Sequence, residues 1–66
     1  MQIQINGEAR KVPEGLTVST LLVHLGLNPA RVAIERNQGI LPRAEWDATT
    51  VGEGDRYEIV QFVGGG

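Results

Sequence analysis

The chain has 66 residues and a mass of 7.1 kDa, which fits one small domain and excludes a catalytic cleft between two domains. Hydrophobic residues make up 41% and charged residues 21%, as in ordinary globular domains, and no apolar run approaches the roughly 20 residues of a membrane helix. Cysteine is absent and His24 is the single histidine, so the sequence offers neither a thiolate nucleophile nor a multi-histidine metal site. We therefore expect no membrane contact, no metal site and a reducing, cytoplasmic environment.

The net charge of −2 is unevenly spread along the chain. Residues 1–43 carry a net charge of +2, whereas residues 44–66 carry five acidic residues against Arg56 alone, a net charge of −4. A protein that contacts nucleic-acid phosphates needs a basic surface, so this balance disfavours nucleic acid as a partner. The acidic second part predicts a basic protein partner instead.

The first predicted element is a β-hairpin. Residues 2–5 alternate polar and apolar side chains, which is the period of a half-buried strand. Asn6-Gly7 follows and predicts a tight hairpin turn, because both residues tolerate positive φ. Residues 8–12 then form the returning strand, and Pro13-Glu14-Gly15 ends it.

A helix is predicted next, with Thr17 as its N-cap. Its apolar side chains recur at the spacing of one helical stripe; they are Val18, Leu21, Leu22 and Leu25. Gly26 can take the left-handed position after the helix, and Asn28-Pro29 prevents its continuation. His24 lies one residue off the stripe, so we interpret it as a surface or boundary side chain rather than a ligand.

Three further strands are predicted after the helix. Residues 32–36 form the third strand, and residues 40–41 form a short fourth strand after a turn. Residues 43–50 are expected to be irregular or to form a single short helical turn, with Trp46 packed over the core. Residues 56–62, rich in aromatic and β-branched side chains, form the fifth strand.

The order ββαβ(β)β excludes a doubly wound sheet, which needs repeated βαβ units. The simplest arrangement is an α+β fold with one mixed sheet of four or five strands and the helix packed across one face. The first and last strands would lie parallel in the middle, as in the ubiquitin-like β-grasp. We expect one domain over residues 1–63 and a flexible glycine tail over residues 64–66.

The last strand has two distinct faces. Tyr57, Ile59, Gln61 and Val63 alternate with Glu58, Val60 and Phe62, so Val60 and Phe62 point outward if Ile59 faces the helix. An exposed Val–Phe pair suits a binding site, which predicts a partner-binding surface of Val60, Phe62 and Val63. The alternative is that loop residues such as Trp46 or Leu41 cover the pair.

The sequence closes with Val63-Gly64-Gly65-Gly66. Three glycines have no Cβ and lose much conformational freedom when fixed, so Gly64 and Gly65 predict a thin, mobile strip that a partner could read in a narrow channel. The Gly66 carboxylate is a poor electrophile and requires activation, most simply by attack on the α-phosphate of ATP to give an acyl-adenylate. Taken alone, such an end could equally be a flexible terminus or an expression remnant.

Three stretches, spread over the whole chain, form a recognisable set. They are Gly15–Val18 with Leu21-Leu22, Val32–Asn37 with Ile40 and Pro42-Arg43, and Gly54-Asp55 with Glu58–Gly66. Together they resemble the ThiS family of sulfur carriers in thiamine biosynthesis. The third stretch is the most specific, because it joins a β-grasp strand pattern to a Gly-Gly pair at Gly65 and Gly66.

The resemblance implies a protein co-substrate rather than an enzyme. Its C-terminal glycine, here Gly66, would be adenylated by an ATP-dependent enzyme related to ubiquitin-activating enzymes. Sulfur derived from a cysteine desulfurase persulfide would convert it to a thiocarboxylate, and thiazole synthase would take the sulfur into the thiazole of thiamine. No cofactor would be bound permanently, and the free chain would be a monomer.

Other functions remain open at this point. The small subunit of molybdopterin synthase shares the fold, the tail and the thiocarboxylate chemistry but is usually longer. A TGS-like β-grasp interaction module resembles residues 12–18 but needs no terminal Gly-Gly. A ubiquitin-like modifier is disfavoured because Lys11 is the single lysine. A free-standing enzyme is disfavoured because the chain lacks cysteine, has one histidine and shows no paired-carboxylate or phosphate-loop pattern. Glu53 and Asp55 are better interpreted as turn residues than as a metal site.

Overall fold

The computed structural model describes residues 1–62, so the predictions for Val63 and for the glycines at 64–66 lie outside the described residues. The described part contains five strands, one α-helix and two short 3₁₀ helices. The strands and the helix are β1 (Gln2–Ile5), β2 (Glu8–Lys11), α1 (Val18–His24), β3 (Val32–Arg36), β4 (Gly39–Ile40) and β5 (Arg56–Gln61). The 3₁₀ helices span Pro29–Arg31 and Arg43–Ala48.

The five strands form one mixed sheet in the order β2-β1-β5-β3-β4. β1 and β5 are parallel neighbours at its centre, and the other pairings are antiparallel. This is the predicted arrangement of a β-grasp, so the predicted fold class is confirmed. β5 ends at Gln61, one residue before the predicted end of the strand.

One face of the sheet packs against α1 and forms the core. Period-2 alternation along β1, β3 and β5 turns two large apolar or aromatic residues of each strand toward the helix. Val18, Leu21 and Leu22 of α1 are fully buried against them. The buried apolar residues are Ile3, Ile5, Val12, Val18, Leu21, Leu22, Val32, Ile34, Trp46, Val51, Tyr57 and Ile59.

The predicted helix cap is confirmed and is reciprocal. The Thr17 hydroxyl accepts from the Thr20 backbone N–H at 3.2 Å, and the Thr20 hydroxyl accepts from the Thr17 N–H at 2.8 Å. This capping box satisfies two backbone donors that the first helical turn leaves free. The sequence predicted Thr17 but not the role of Thr20.

The segment between β4 and β5 folds over the core, as predicted. Trp46 lies in the 3₁₀ helix Arg43–Ala48 and is 4% exposed. Its indole Nε1 donates a hydrogen bond to the Leu41 carbonyl at 3.0 Å, so its one polar group is satisfied. Within residues 1–62, no helix has the length and apolarity that crossing a membrane requires.

Candidate functional site

The sheet face opposite the helix carries an exposed apolar surface. Val60 is 61% exposed and Phe62 is 50% exposed, which excludes the alternative that Trp46 or Leu41 covers them. Trp46 cannot cover them because it is itself buried in the core. Ile40, on the edge strand β4, is 82% exposed and adds to this surface.

These side chains line a groove of about 360 Å³, which we call the outer groove. Ala33 and Val60 face each other across the β3–β5 ladder and form its floor. Leu41 and Pro42 form the wall on the side of β4. The remaining lining residues are Val32, Ile34, Glu35, Ile40, Arg43, Trp46, Glu58 and Phe62.

Arg43 holds the wall of the outer groove in place. Its guanidinium donates to the Pro29 carbonyl, and to the Val32 carbonyl at 3.2 Å. It also lies 4.6 Å from the centre of the Trp46 ring, a cation–π geometry. The two hydrogen bonds tie the 3₁₀ helix Arg43–Ala48 to the segment that enters β3, and the ring contact packs Arg43 against Trp46 within that helix.

Two carboxylates lie at the opposite end of the outer groove. Glu35 of β3 and Glu58 of β5 are direct partners in the antiparallel ladder. Both also line an adjoining polar pocket of about 170 Å³ that includes Gln38 and Arg56. The outer groove therefore passes from an apolar floor to an acidic margin.

A buried carboxylate anchors the start of β5. Asp55 accepts hydrogen bonds from the Gly52 N–H at 2.8 Å and the Tyr57 hydroxyl at 2.9 Å, and it pairs with Arg36 at 3.0 Å. Burial favours the neutral acid, but these donors, the Asn37 amide and the Arg36 charge outweigh it and hold the Asp55 pKa below its usual value. Burial of Tyr57 raises its pKa to about 12, so its hydroxyl stays protonated as a donor.

The route toward the terminal glycines starts beside the outer groove. The Phe62 N–H donates to the Arg31 carbonyl at 2.7 Å, which fixes the backbone just after β5. Val63, Gly64, Gly65 and Gly66 follow but lie outside the described residues, so their predicted roles stay predictions. In the part of the chain that the structure describes, no three His, Asp or Glu side chains come together as a metal site.

A second cavity, of about 370 Å³, lies on the helix side of the sheet. Leu25 and Leu27 line it together with Arg10 and Gln61. It holds no pair of groups suited to acid–base or nucleophilic chemistry. The outer groove is therefore the better candidate for a functional surface.

Comparison with known proteins identifies the family. The model of the ThiS family matches residues 3–66, nearly the whole sequence. The chain belongs to the ThiS family. The family resemblance predicted from its three stretches is thereby confirmed.

Relatives and solved structures agree with this assignment. The ThiS-family chain is 38% identical over 66 residues to a sulfur carrier protein ThiS of Escherichia coli, covering 100% of both chains. A crystal structure of a thiamine biosynthesis protein, ThiS, from Geobacter metallireducens matches with a TM-score of 0.85 and 39% identity, covering 100% of both chains.

A longer relative also matches. A protein of Paramagnetospirillum magneticum named thiazole synthase is 44% identical over 66 residues, which is 100% of the ThiS-family chain. The chain spans 20% of the length of that protein.

Several site residues were not predicted from the sequence of this ThiS-family chain. Glu35 and Glu58 meet in the outer groove because β3 and β5 are antiparallel neighbours, and a strand pairing is not readable from either strand alone. Ile40 enters through the pairing of β4 with β3, and Arg43 through its hydrogen bonds to the Pro29 and Val32 carbonyls. Alternation did place Glu58 on the face of Val60 and Phe62. A correct β3–β5 register would have added Ala33 and Glu35.

Proposed function

We propose that the chain is a sulfur carrier in thiamine biosynthesis and acts as a co-substrate of other enzymes. The observation that carries this proposal is the ThiS family match over residues 3–66, which includes the closing glycines. The full-length similarity to the sulfur carrier protein ThiS of Escherichia coli supports it. We further propose that the free carrier is monomeric and works in the cytoplasm, where thiols stay reduced.

The reacting group in this proposal is the carboxylate of Gly66. A carboxylate oxygen attacks the α-phosphate of ATP held by an adenylating enzyme, and pyrophosphate leaves. The product is an acyl-adenylate, whose carbonyl carbon is a far better electrophile than that of the free carboxylate. ATP is thus a substrate of the activating partner, and the carrier itself needs no resident cofactor.

Sulfur then replaces the activated oxygen. The terminal sulfur of a persulfide, generated from cysteine by a desulfurase, attacks the acyl carbon and expels AMP. A thiol cleaves the S–S bond of the resulting acyl disulfide and is itself oxidised to a disulfide, which leaves a thiocarboxylate on Gly66. With no cysteine in the chain, the terminal acyl group is the place where this protein can carry sulfur.

Thiazole synthase is the proposed acceptor of the sulfur. The relative named thiazole synthase contains a region 44% identical to this whole chain within a protein about five times as long. A carrier-like region within a protein of that name supports a working link between carrier and synthase.

The outer groove is the proposed docking surface for the adenylating enzyme. Val60 and Phe62 are exposed apolar side chains within a few residues of Gly66. A partner that covers them also receives the chain that leads to the reacting carboxylate. Gly64 and Gly65 would then pass a narrow channel, since a backbone without Cβ atoms occupies the least width.

Intact mass spectrometry tests the chemistry. After incubation with ATP, cysteine, a desulfurase, a thiol and the adenylating enzyme, the carrier should gain the mass of one oxygen-to-sulfur exchange, mapped to Gly66. Incubation of the product with thiazole synthase and the substrate that accepts the sulfur should reverse the exchange, and incubation with the large subunit of molybdopterin synthase and its own acceptor substrate should not. Reversal by the latter alone would assign the carrier to the other pathway.

Deletion of Gly66 tests whether its carboxylate is the reacting group. The deletion should abolish adenylation and leave the urea unfolding curve unchanged, because the core lies within residues 3–59. A chain with one alanine added after Gly66 should also fail, since its carboxylate is displaced. Thiocarboxylation of the shortened chain at the normal rate would refute the assignment of Gly66.

A further inference from the structure

The acidic margin of the outer groove places two like charges directly opposite each other. Glu35 and Glu58 are ladder partners on one face of an antiparallel pair, where Cβ atoms are about 4.5–5.5 Å apart. Like charges in this position destabilise a sheet. Both side chains are exposed, and neither has a hydrogen bond or ion pair with another residue in the part of the chain that the structure describes.

Three of the five acidic side chains in residues 44–66 make contacts within the fold. Asp55 pairs with Arg36, Asp47 accepts from the Ser19 hydroxyl, and Glu53 accepts from the Gln2 N–H. These three carboxylates therefore act within the fold. The negative charge that remains beside the apolar groove is that of the Glu35–Glu58 pair.

We propose that Glu35 and Glu58 together receive one arginine of the activating enzyme, which enters beside an apolar segment seated on Ala33 and Val60. This proposal rests on the proposed function and names the chemistry of the partner at the same site. An arginine guanidinium has five donors in a planar fork and can bond two carboxylates at once. Docking would relieve the repulsion between the two charges, so the pair favours a bound state with a basic partner.

A second copy of this chain is a poorer occupant of the groove. It would bring its own acidic pair to an already acidic margin. The cation at the other end, Arg43, already donates to the Pro29 and Val32 carbonyls and stacks on Trp46. Its donors are therefore not free to neutralise the acidic pair of another copy, and Arg56, which lines the adjoining pocket with Glu35 and Glu58, lies beside the acidic pair of its own chain.

The test compares two double variants that remove the same charge. Glu35→Gln with Glu58→Gln removes the acidic margin, and Glu8→Gln with Glu14→Gln removes two exposed acids away from the groove. Titration calorimetry with the adenylating enzyme should show a loss of affinity on the order of tenfold for the first pair and little change for the second. Raising the salt concentration should weaken docking of the wild type more than docking of the first variant.

Two further measurements separate this role from a structural one. The Tm of the Glu35→Gln, Glu58→Gln variant should stay equal or rise by about 1–4 °C, because repulsion is removed. ATP-dependent thiocarboxylation at saturating enzyme should still reach completion, because the Gly66 carboxylate is intact. A loss of affinity caused by misfolding would instead lower the Tm.

Each other outcome overturns the proposal. Equal affinity of wild type and the Glu35→Gln, Glu58→Gln variant, with normal thiocarboxylation, refutes the arginine acceptor and leaves the proposed function standing. Equal losses in both double variants would assign the effect to net charge. A wild-type chain that neither binds nor reacts would end both proposals, and a wild-type dimer abolished by the first double variant would make a second copy the occupant.

Discussion

Asp55 connects three parts of the chain through one buried carboxylate. It joins the turn at Gly52, the end of β3 at Arg36 and the inner face of β5 at Tyr57. A carboxylate held by several donors is more stable as an anion in the folded chain than in the unfolded chain. The sequence predicted a turn residue here, because a turn is local, whereas the partners Arg36 and Tyr57 are supplied by the pairing of β3 with β5.

Loss of the Asp55 charge should therefore destabilise the fold. Asp55→Asn should lower the free energy of unfolding at pH 7 by about 2–4 kcal/mol, since the ion pair with Arg36 is lost and an N–H₂ donor replaces one of the two acceptor oxygens. Glu14→Gln, an exposed acid that has no hydrogen bond or ion pair within residues 1–62, should change it by less than about 0.5 kcal/mol. Urea unfolding measures both, and equal small changes would contradict the anchoring role of Asp55.

Asp55 also determines the direction in which stability changes with pH. Because the folded-state pKa of Asp55 lies below its usual value, its contribution to stability is complete above the unfolded pKa of about 3.9. The contribution is lost as the pH falls through the folded-state pKa. Tyr57→Phe removes one donor to Asp55, so it should raise the Asp55 pKa and move the onset of acid unfolding to higher pH.

At the scale of elements, β5 is held at its first residue and near its middle by asparagine side chains from turns. The Asn6 side chain accepts from the Ile59 N–H at 2.8 Å and donates to the Ile59 carbonyl at 3.1 Å. Asn37 likewise accepts from the Arg56 N–H at 2.9 Å. The parallel β1–β5 ladder pairs only Gln4 with Arg56 and Ile5 with Tyr57, so Asn6 extends it after β1 has turned away.

The hairpin turn itself was predictable from the sequence. The pair of hydrogen bonds between the Asn6 side chain and the Ile59 backbone, which we call the clamp, was not. Asn6 and Gly7 both have positive φ, 51° and 82°, as an Asn-Gly hairpin turn requires. The same was true of the helix stripe and its cap, because all of these signals lie within a few residues. The Asn6–Ile59 contact joins residues 53 positions apart, and no local pattern encodes it.

Removal of the clamp should lower the free energy of unfolding more than removal of a side chain at an equivalent turn position. Asn6→Gly keeps a residue suited to positive φ but loses both bonds to Ile59, so the free energy of unfolding should fall by about 1–3 kcal/mol. Gln38 also has positive φ, 74°, and its side chain makes no hydrogen bond within the described residues. Gln38→Gly should therefore be neutral or stabilising in urea unfolding, and equal losses in the two variants would argue against the clamp.

At the scale of the whole molecule, the sheet separates the core from the surface that we propose for docking. The helix-facing side contains the core, and the outer side carries exposed apolar residues next to the path toward Gly66. Alternation along β5 predicted this division, because it assigned Ile59 to one face and Val60 with Phe62 to the other. The width and the ends of the outer groove were not predictable, since β4 and the segment Arg43–Ala48 are placed by tertiary contacts.

Because of this separation, we expect a substitution in the outer groove to change the docking affinity with little effect on the free energy of unfolding. Phe62→Asp puts a charge on the outer groove, where desolvation against a partner is costly, but it removes little from the core because Phe62 is already 50% exposed. Docking to the adenylating enzyme should weaken at least tenfold, while the free energy of unfolding changes by less than about 1 kcal/mol. Val23→Asp, on the exposed face of α1 and 73% exposed, introduces the same charge at a distance from the groove and should leave docking unchanged. Calorimetric titration together with urea unfolding decides the matter: if Phe62→Asp docks as tightly as Val23→Asp, the outer groove is not the surface that the activating enzyme binds.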